Sequence, residues 1–262
     1  MLKMINRCLA LVLAASLCFG LVVFPASAEE VGEAEEKVNL MRKPETLTEM
    51  DTSEGEAKTF WAQYSIPRSW IRTVEFHDTL DDAPENTLDF SANYDGSVIG
   101  WYTPGQLHIA ADGKITLNED SSWMFAYFTN LKEIKFNGCV DTSRVTDMEA
   151  MFYFCYRLES VDVSGFDTAN VTNMNKMFGY CEKLQSLDVS SFDTSKVEDF
   201  SYMFTFCRLI PELDLSNFNT SAGKYMLSMF YRCEHLKNLD TSHFDFSNVV
   251  SKIHFDDYVG IK

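Results

Sequence analysis

"MFGYCEKLQSLDVSSFDTSKV" occupies Met177 to Val197, and most of it is written again 26 residues later. The second copy reads Met203-Phe204, Cys207, Leu213-Asp214-Leu215-Ser216 and Phe218-Asn219-Thr220. Met-Phe pairs at 124, 151, 177, 203 and 229 mark five units, with a first step of 27 residues and three further steps of 26. A repeat of this length is the signature of a stacked architecture, because one unit alone cannot bury its apolar face.

Each unit has two halves of different period. Val171, Met174, Met177, Phe178, Cys181 and Leu184 are spaced 3, 3, 1, 3 and 3, the pattern of one helix face. Leu187 and Val189 then alternate with Ser186, Asp188 and Ser190, the period of a strand with one buried face. Ser195 followed by Glu198 fits a capping box at the start of the next helix. The expected fold is therefore an α/β repeat solenoid. It is a leucine-rich-repeat-like stack of about five strand–turn–helix coils at residues 121–262, with the last coil incomplete.

Leu184-x-x-Leu187-Asp188-Val189-Ser190, the Phe192-Asp193-Thr194-Ser195 turn and the Met-Phe-x-x-Cys-x-x-Leu block resemble the BspA-family leucine-rich repeat surface proteins of bacteria. The resemblance runs from about Ile71 to Val249 and includes the Leu107–Phe125 lead-in. It implies a secreted or surface-attached solenoid that works in adhesion and is not an enzyme. The chain departs from the pattern at Gly223, where valine is expected, and at Thr241, where the strand wants an aliphatic residue.

Outside the repeats, Lys3 and Arg7 precede an apolar run from Leu9 to Phe24, and Ala26-Ser27-Ala28 offers a small-residue cleavage site. Residues 1–28 are expected to be an export signal. Residues 29–58 read as a flexible acidic leader and 59–120 as a β-rich amino-terminal cap. Within the cap, Val98–Tyr102 and Gln106–Ala110 are expected as strands around a Pro104-Gly105 turn. The run from Leu9 is too short to span a bilayer, so no transmembrane segment is expected after signal removal.

The chain has 262 residues and a net charge of -17, the wrong sign for a phosphate backbone, so nucleic acid is excluded as a partner. There is no nucleophile elbow, no glycine-rich phosphate loop and no HExxH among the His residues, so neither catalysis nor a cofactor is expected. Cys155, Cys181, Cys207 and Cys233 form a column that, with Cys139, is expected to stay reduced and buried.

Two surface columns remain as candidate binding faces. One is polar, made of Ser160, Asp162, Ser164, Ser186, Asp188, Ser190, Glu212, Asp214, Ser216 and Asp240. Its aspartates Asp162, Asp188, Asp214 and Asp240 form a weak candidate Ca²⁺ ladder, with mutual repulsion expected to raise their pKa values. The other is an aromatic stripe of Tyr127, Phe154, Tyr180 and Phe206. The expectation is a monomeric, secreted or surface-held module with a protein or glycan ligand. The rival reading is a structural spacer, or a truncated fragment of a larger surface protein, with no ligand of its own.

Overall fold

The computed structural model describes residues 38–42, 66–255, 257 and 260–261. The expected signal segment, nearly all of the expected acidic leader and the first residues of the expected cap lie outside them. The described residues contain eleven strands. They are β1 (Asn39–Leu40), β2 (Thr73–His77), β3 (Leu88–Asp89), β4 (Val98–Thr103), β5 (Gln106–Ala111) and β6 (Ile115–Thr116), followed by β7 (Glu133–Lys135), β8 (Val140–Asp141), β9 (Ser160–Val161), β10 (Lys237–Leu239) and β11 (Gly260–Ile261).

The principal sheet has the order β3-β4-β5-β2-β7-β9. β4 and β5 form the expected antiparallel hairpin, from Val98↔Ala111 to Thr103↔Gln106. Pro104 and Gly105 make its turn, and Gly105 carries the positive φ of 87° that the position after proline requires in a type II turn. β5, β2, β7 and β9 then run parallel, so the cap hands its sheet directly to the repeats. A second parallel ladder joins β1, β6 and β8. Met41, beside β1, is wholly buried, so residues 38–42 of the expected flexible leader are part of the folded body.

The helices expected in each unit are not there. Among the described residues the one helical element is a 3-10 turn at Arg68–Trp70. The fold is nearly all β, and the α/β solenoid expectation is corrected accordingly. Each presumed helix is a run of consecutive tight turns. In the third unit the N–H groups of Met177, Gly179 and Cys181 donate to the carbonyls of Met174, Lys176 and Phe178, three residues back. The intervening N–H groups of Met174, Lys176, Phe178 and Tyr180 donate to Asp199, Ser201, Met203 and Thr205 of the following unit. Alternate amides thus close turns within a coil and bridge to the next coil, so all are paired without a helix.

The turns explain the misleading spacing. The first and fourth residues of a turn fall on the same side, so the turns Thr168–Val171, Met174–Met177, Phe178–Cys181 and Cys181–Leu184 all begin and end on buried residues. A helix face also steps by three and four. Two of these turns need a left-handed third residue, and Lys176 and Tyr180 supply it at φ 58° and 61°. The segments also open on Asx residues that capture an amide two positions on, as Asn173 does for Asn175 and Asp199 for Ser201. Those captured amides are withdrawn from a helical start. Glu198 likewise sends its N–H to Thr172 of the preceding coil, so Ser195 and Glu198 form no capping box. The strand half is shorter than expected too. Leu187 and Val189 point inward and are buried, but residues 186–189 carry no ladder.

Side-chain ladders tie the coils together. Phe125, Phe152, Phe178, Phe204 and Phe230 stack face to face at centroid spacings of 5.7, 5.3, 5.9 and 5.7 Å. Phe255 closes the row edge-on, 5.4 Å from Phe230. Cys139, Cys155, Cys181, Cys207 and Cys233 are free and buried. In the repeat column each thiol donates to a Phe carbonyl of the preceding coil, as Cys181 does to Phe152 at 3.3 Å. Burial pushes the Cys155 and Cys233 thiols up to about 12, which leaves them unreactive. The Thr of each Phe-Asp-Thr turn is also buried. Thr194 donates to the Asn219 carbonyl at 3.0 Å and accepts the Asn219 N–H at 2.8 Å. The pattern continues past Val249, where Ser251, Ile253 and Phe255 accept from Met226, Ser228 and Phe230.

Candidate functional site

Because the strands of the principal sheet are paired in register, outward-facing residues of different strands line up across it. Trp101 stands beside His108, His108 beside Glu75, and Glu75 beside Lys135. The pairing of Ile134 with Val161 sets Asp162 next to Lys135. A polar ribbon therefore runs from the cap hairpin onto the repeats.

Over the first coils the ribbon forms an open groove of about 670 Å³. Ser160, Asp162, Ser164, Ser186 and Asp188 line it, as residues of the expected polar face. They are joined by Lys114, Glu133, Lys135 and Asn137, which the repeat pattern did not single out. Ser190, Glu212, Asp214, Ser216 and Asp240 lie further along and do not line this groove. A second open groove, of about 460 Å³, is bordered by Trp70, Arg72, Tyr102, Lys132 and Arg157. Sequence reasoning missed it because its cationic residues are scattered from position 72 to 157 and meet only in the fold.

The aspartate column is built differently from what the sequence suggested. Each Asp accepts the backbone N–H of the Ser two residues on, at 3.0 Å for Asp162–Ser164 and 2.9 Å for Asp188–Ser190, Asp214–Ser216 and Asp240–Ser242. In Asp162 the Ser164 hydroxyl donates to the same oxygen at 2.6 Å. These bonds stabilise the charged form, so the pKa values of Asp162, Asp188 and Asp214 are lowered. The expected upward shift is overturned, because repulsion from Asp188 acts on Asp162 and Asp214 only as a smaller opposing effect. Nor do the four aspartates converge as a cation set. Among the described residues the metal-capable side chains that draw together are Glu75, His77 and His108.

The aromatic stripe is half-buried. Tyr127, Phe154, Tyr180 and Phe206 follow one another at 4.9, 4.4 and 4.5 Å. All four are left-handed, with φ between 57° and 63°. Such a conformation costs roughly 1–2 kcal/mol in a residue with a Cβ, and ring stacking between coils offsets it.

A family model described as "Mycoplasma protein of unknown function, DUF285" matches residues 119–212 and again 188–255. Together the two matches cover a little over half of the chain. The chain belongs to the DUF285 family. The DUF285 matches take in the repeats and all of the groove's lining except Lys114; the strands β2 to β5 that begin the ribbon lie before them. Comparison with curated proteins and with solved structures finds no match. Among the described residues no helix is long and apolar enough to cross a membrane.

Proposed function

We propose that this DUF285 protein is an exported, non-enzymatic interaction module of the BspA-like repeat type, and that the polar groove over its first coils is where a glycan or a polar protein segment docks. The groove itself carries this reading. It gathers hydroxyls, carboxylates and two ammonium groups in one open trough. Each Asx turn uses one carboxylate oxygen of Asp162 or Asp188, and the other is an acceptor suited to a ligand hydroxyl. Lys114 and Lys135 add donors to the same wall. Hydroxyl-rich ligands are bound by such mixed, solvent-open donor and acceptor sets.

The test is a screen of the purified chain against glycans and extracellular-matrix proteins, repeated with Lys135→Ala and Asp188→Asn. Binding that weakens in both variants, at unchanged melting temperature, supports the groove. The spacer reading is favoured by one observation, that the Asx turns give one oxygen of each of the Asp162 and Asp188 carboxylates a partner within its own coil. It predicts no ligand in the screen.

A further inference from the structure

Beyond the groove, at the cap end of the ribbon, we infer that Glu75, His77 and His108 form a binding site for a Zn²⁺-class divalent cation. Glu75 and His77 share the outer face of β2, two residues apart, and His108 lies across from Glu75 on β5. Their potential ligand atoms all lie within 4.8 Å of one another. His77 Nε2 and His108 Nδ1 are 3.0 Å apart. Two nitrogens bound tetrahedrally to zinc at about 2.05 Å are separated by roughly 3.3 Å, so a small widening admits the ion between them. Two imidazoles with one carboxylate select a zinc-like cation over Ca²⁺ or Mg²⁺, which take oxygen ligands.

The surroundings hold the ligands as a metal centre requires. The second ring nitrogen of His108, Nε2, lies 3.4 Å from Thr103 Oγ1, a contact that suits the tautomer whose Nδ1 lone pair faces His77. Trp101 stacks on His108 at 4.8 Å with the rings 7° from parallel, and on His77 at 5.7 Å. Gln106 Nε2 donates to Glu75 Oε2 at 2.5 Å, which orients that carboxylate. All three ligands are half-buried, so the ion has an entry path and can keep a water in its remaining position. His77 and His108 are 31 residues apart in sequence. Only the parallel pairing of β2 with β5 brings them together, so spacing motifs do not detect them.

ZnCl₂ titrated by calorimetry into the purified, reduced and metal-free chain tests the inference. The expected result is one equivalent bound in the micromolar range or tighter, with CaCl₂ giving no heat. His77→Ala and His108→Ala should each weaken binding by about 10–100-fold or more, and Glu75→Gln, which keeps a hydrogen-bonding partner for Gln106, should weaken it less. Circular dichroism of the three variants should match the parent, since all three side chains lie on an outer face. No zinc binding in the parent, or binding unchanged in both histidine variants, overturns the site.

Discussion

The cap shares one sheet with the first coils, yet cap and repeats are held by two different means. In the cap, β4 and β5 are six residues each and pair along their whole length. In the repeats β9 has two residues, and the equivalent segment at 186–189 has no ladder. What the repeats lose in main-chain strand pairing they recover through turn bonds between coils and ladders of Phe, Cys, Thr and Asx side chains. The cap's ladder is made by the main chain, whereas the repeats rely on particular side chains in column after column. A 26-residue consensus is the visible trace of that second strategy.

The largest effect should come from breaking the Phe spine. Phe178 is fully buried and stacked on both Phe152 and Phe204. Phe178→Ala should cost about 3–5 kcal/mol, through lost burial and an unfilled cavity. Because each coil leans only on its neighbours, chemical denaturation should lose its single transition, with the coils beyond Phe178 melting before the cap. A sharp, unshifted transition would show that the cap's ladder carries the whole chain.

Next in size is the threonine staple. Thr194→Val preserves shape but removes the donor to the Asn219 carbonyl and the acceptor of the Asn219 N–H. Leaving a buried amide unpaired costs about 1–3 kcal/mol. Thr103→Val, on the exposed end of the cap hairpin, should stay within about 0.5 kcal/mol. Equal losses at the two sites, measured from denaturation midpoints, would erase the proposed distinction.

The comparison also shows what could be read before folding. The repeat, the buried Phe, Met and Cys columns and the cap hairpin are legible in the sequence, because each depends on which residues face inward. The helix was misread because a train of turns with buried first and fourth residues has the same 3-and-4 step. Only the main chain distinguishes them, through left-handed residues such as Ala150, Lys176 and Tyr202 that sequence rules reserve for glycine. On the site, Ser160, Asp162, Ser164, Ser186 and Asp188 were placed on one face by period alone. Lys114 and the Glu75–His77–His108 group were not, because strand order brings them there and strand order is set by tertiary pairing.

A smaller effect tests one irregularity within the repeats. Phe200 stands in the column of Met148, Met174 and Met226, and Gly223 in the valine column of the next coil. A Cβ on Gly223 would lie 3.4 Å from the Phe200 ring, 3.0 Å from the Thr220 carbonyl and 2.7 Å from the Met226 methyl. The Met226 methyl is the tightest of these contacts, whereas the Phe200 ring is at ordinary contact distance. Gly223→Val should destabilise by roughly 1–3 kcal/mol through overpacking. Adding Met226→Leu, which removes that methyl, should recover part of it, as a coupling measurable in a double-mutant cycle. Additive losses would show that Met226 is not what a side chain at position 223 meets.

The smallest effect concerns the aspartate column, and its sign separates two accounts of why the column exists. If repulsion along the ribbon dominated, folded carboxyl pKa values would be raised, and acidification would relieve a strain and stabilise the fold. The geometry points the other way. Hydrogen bonds from Ser164 and Ser190 come first in lowering Asp162 and Asp188, and the Ser216 amide does so for Asp214. A depressed folded pKa means the unfolded chain takes up protons first. The column's contribution is then complete above the unfolded value of about 3.9 and disappears as pH falls through the lower folded values. Asp193 and Asp245, bonded to Ser195 and Ser247, are shifted in the same direction and add to the same loss. Melting temperature followed from neutral pH to below pH 4 should therefore fall on the acid side. The doubly substituted Asp188→Asn, Asp214→Asn chain should fall less steeply, since asparagine still accepts the serine amide, as Asn219 does for Ser221 at 3.0 Å, but does not titrate. At neutral pH the variant should be no more stable than the parent. A variant that is clearly more stable there, beside a parent that gains stability on acidification, would restore repulsion as the dominant force. It would also reverse the conclusion that these carboxylates belong to the turns before they belong to any ligand.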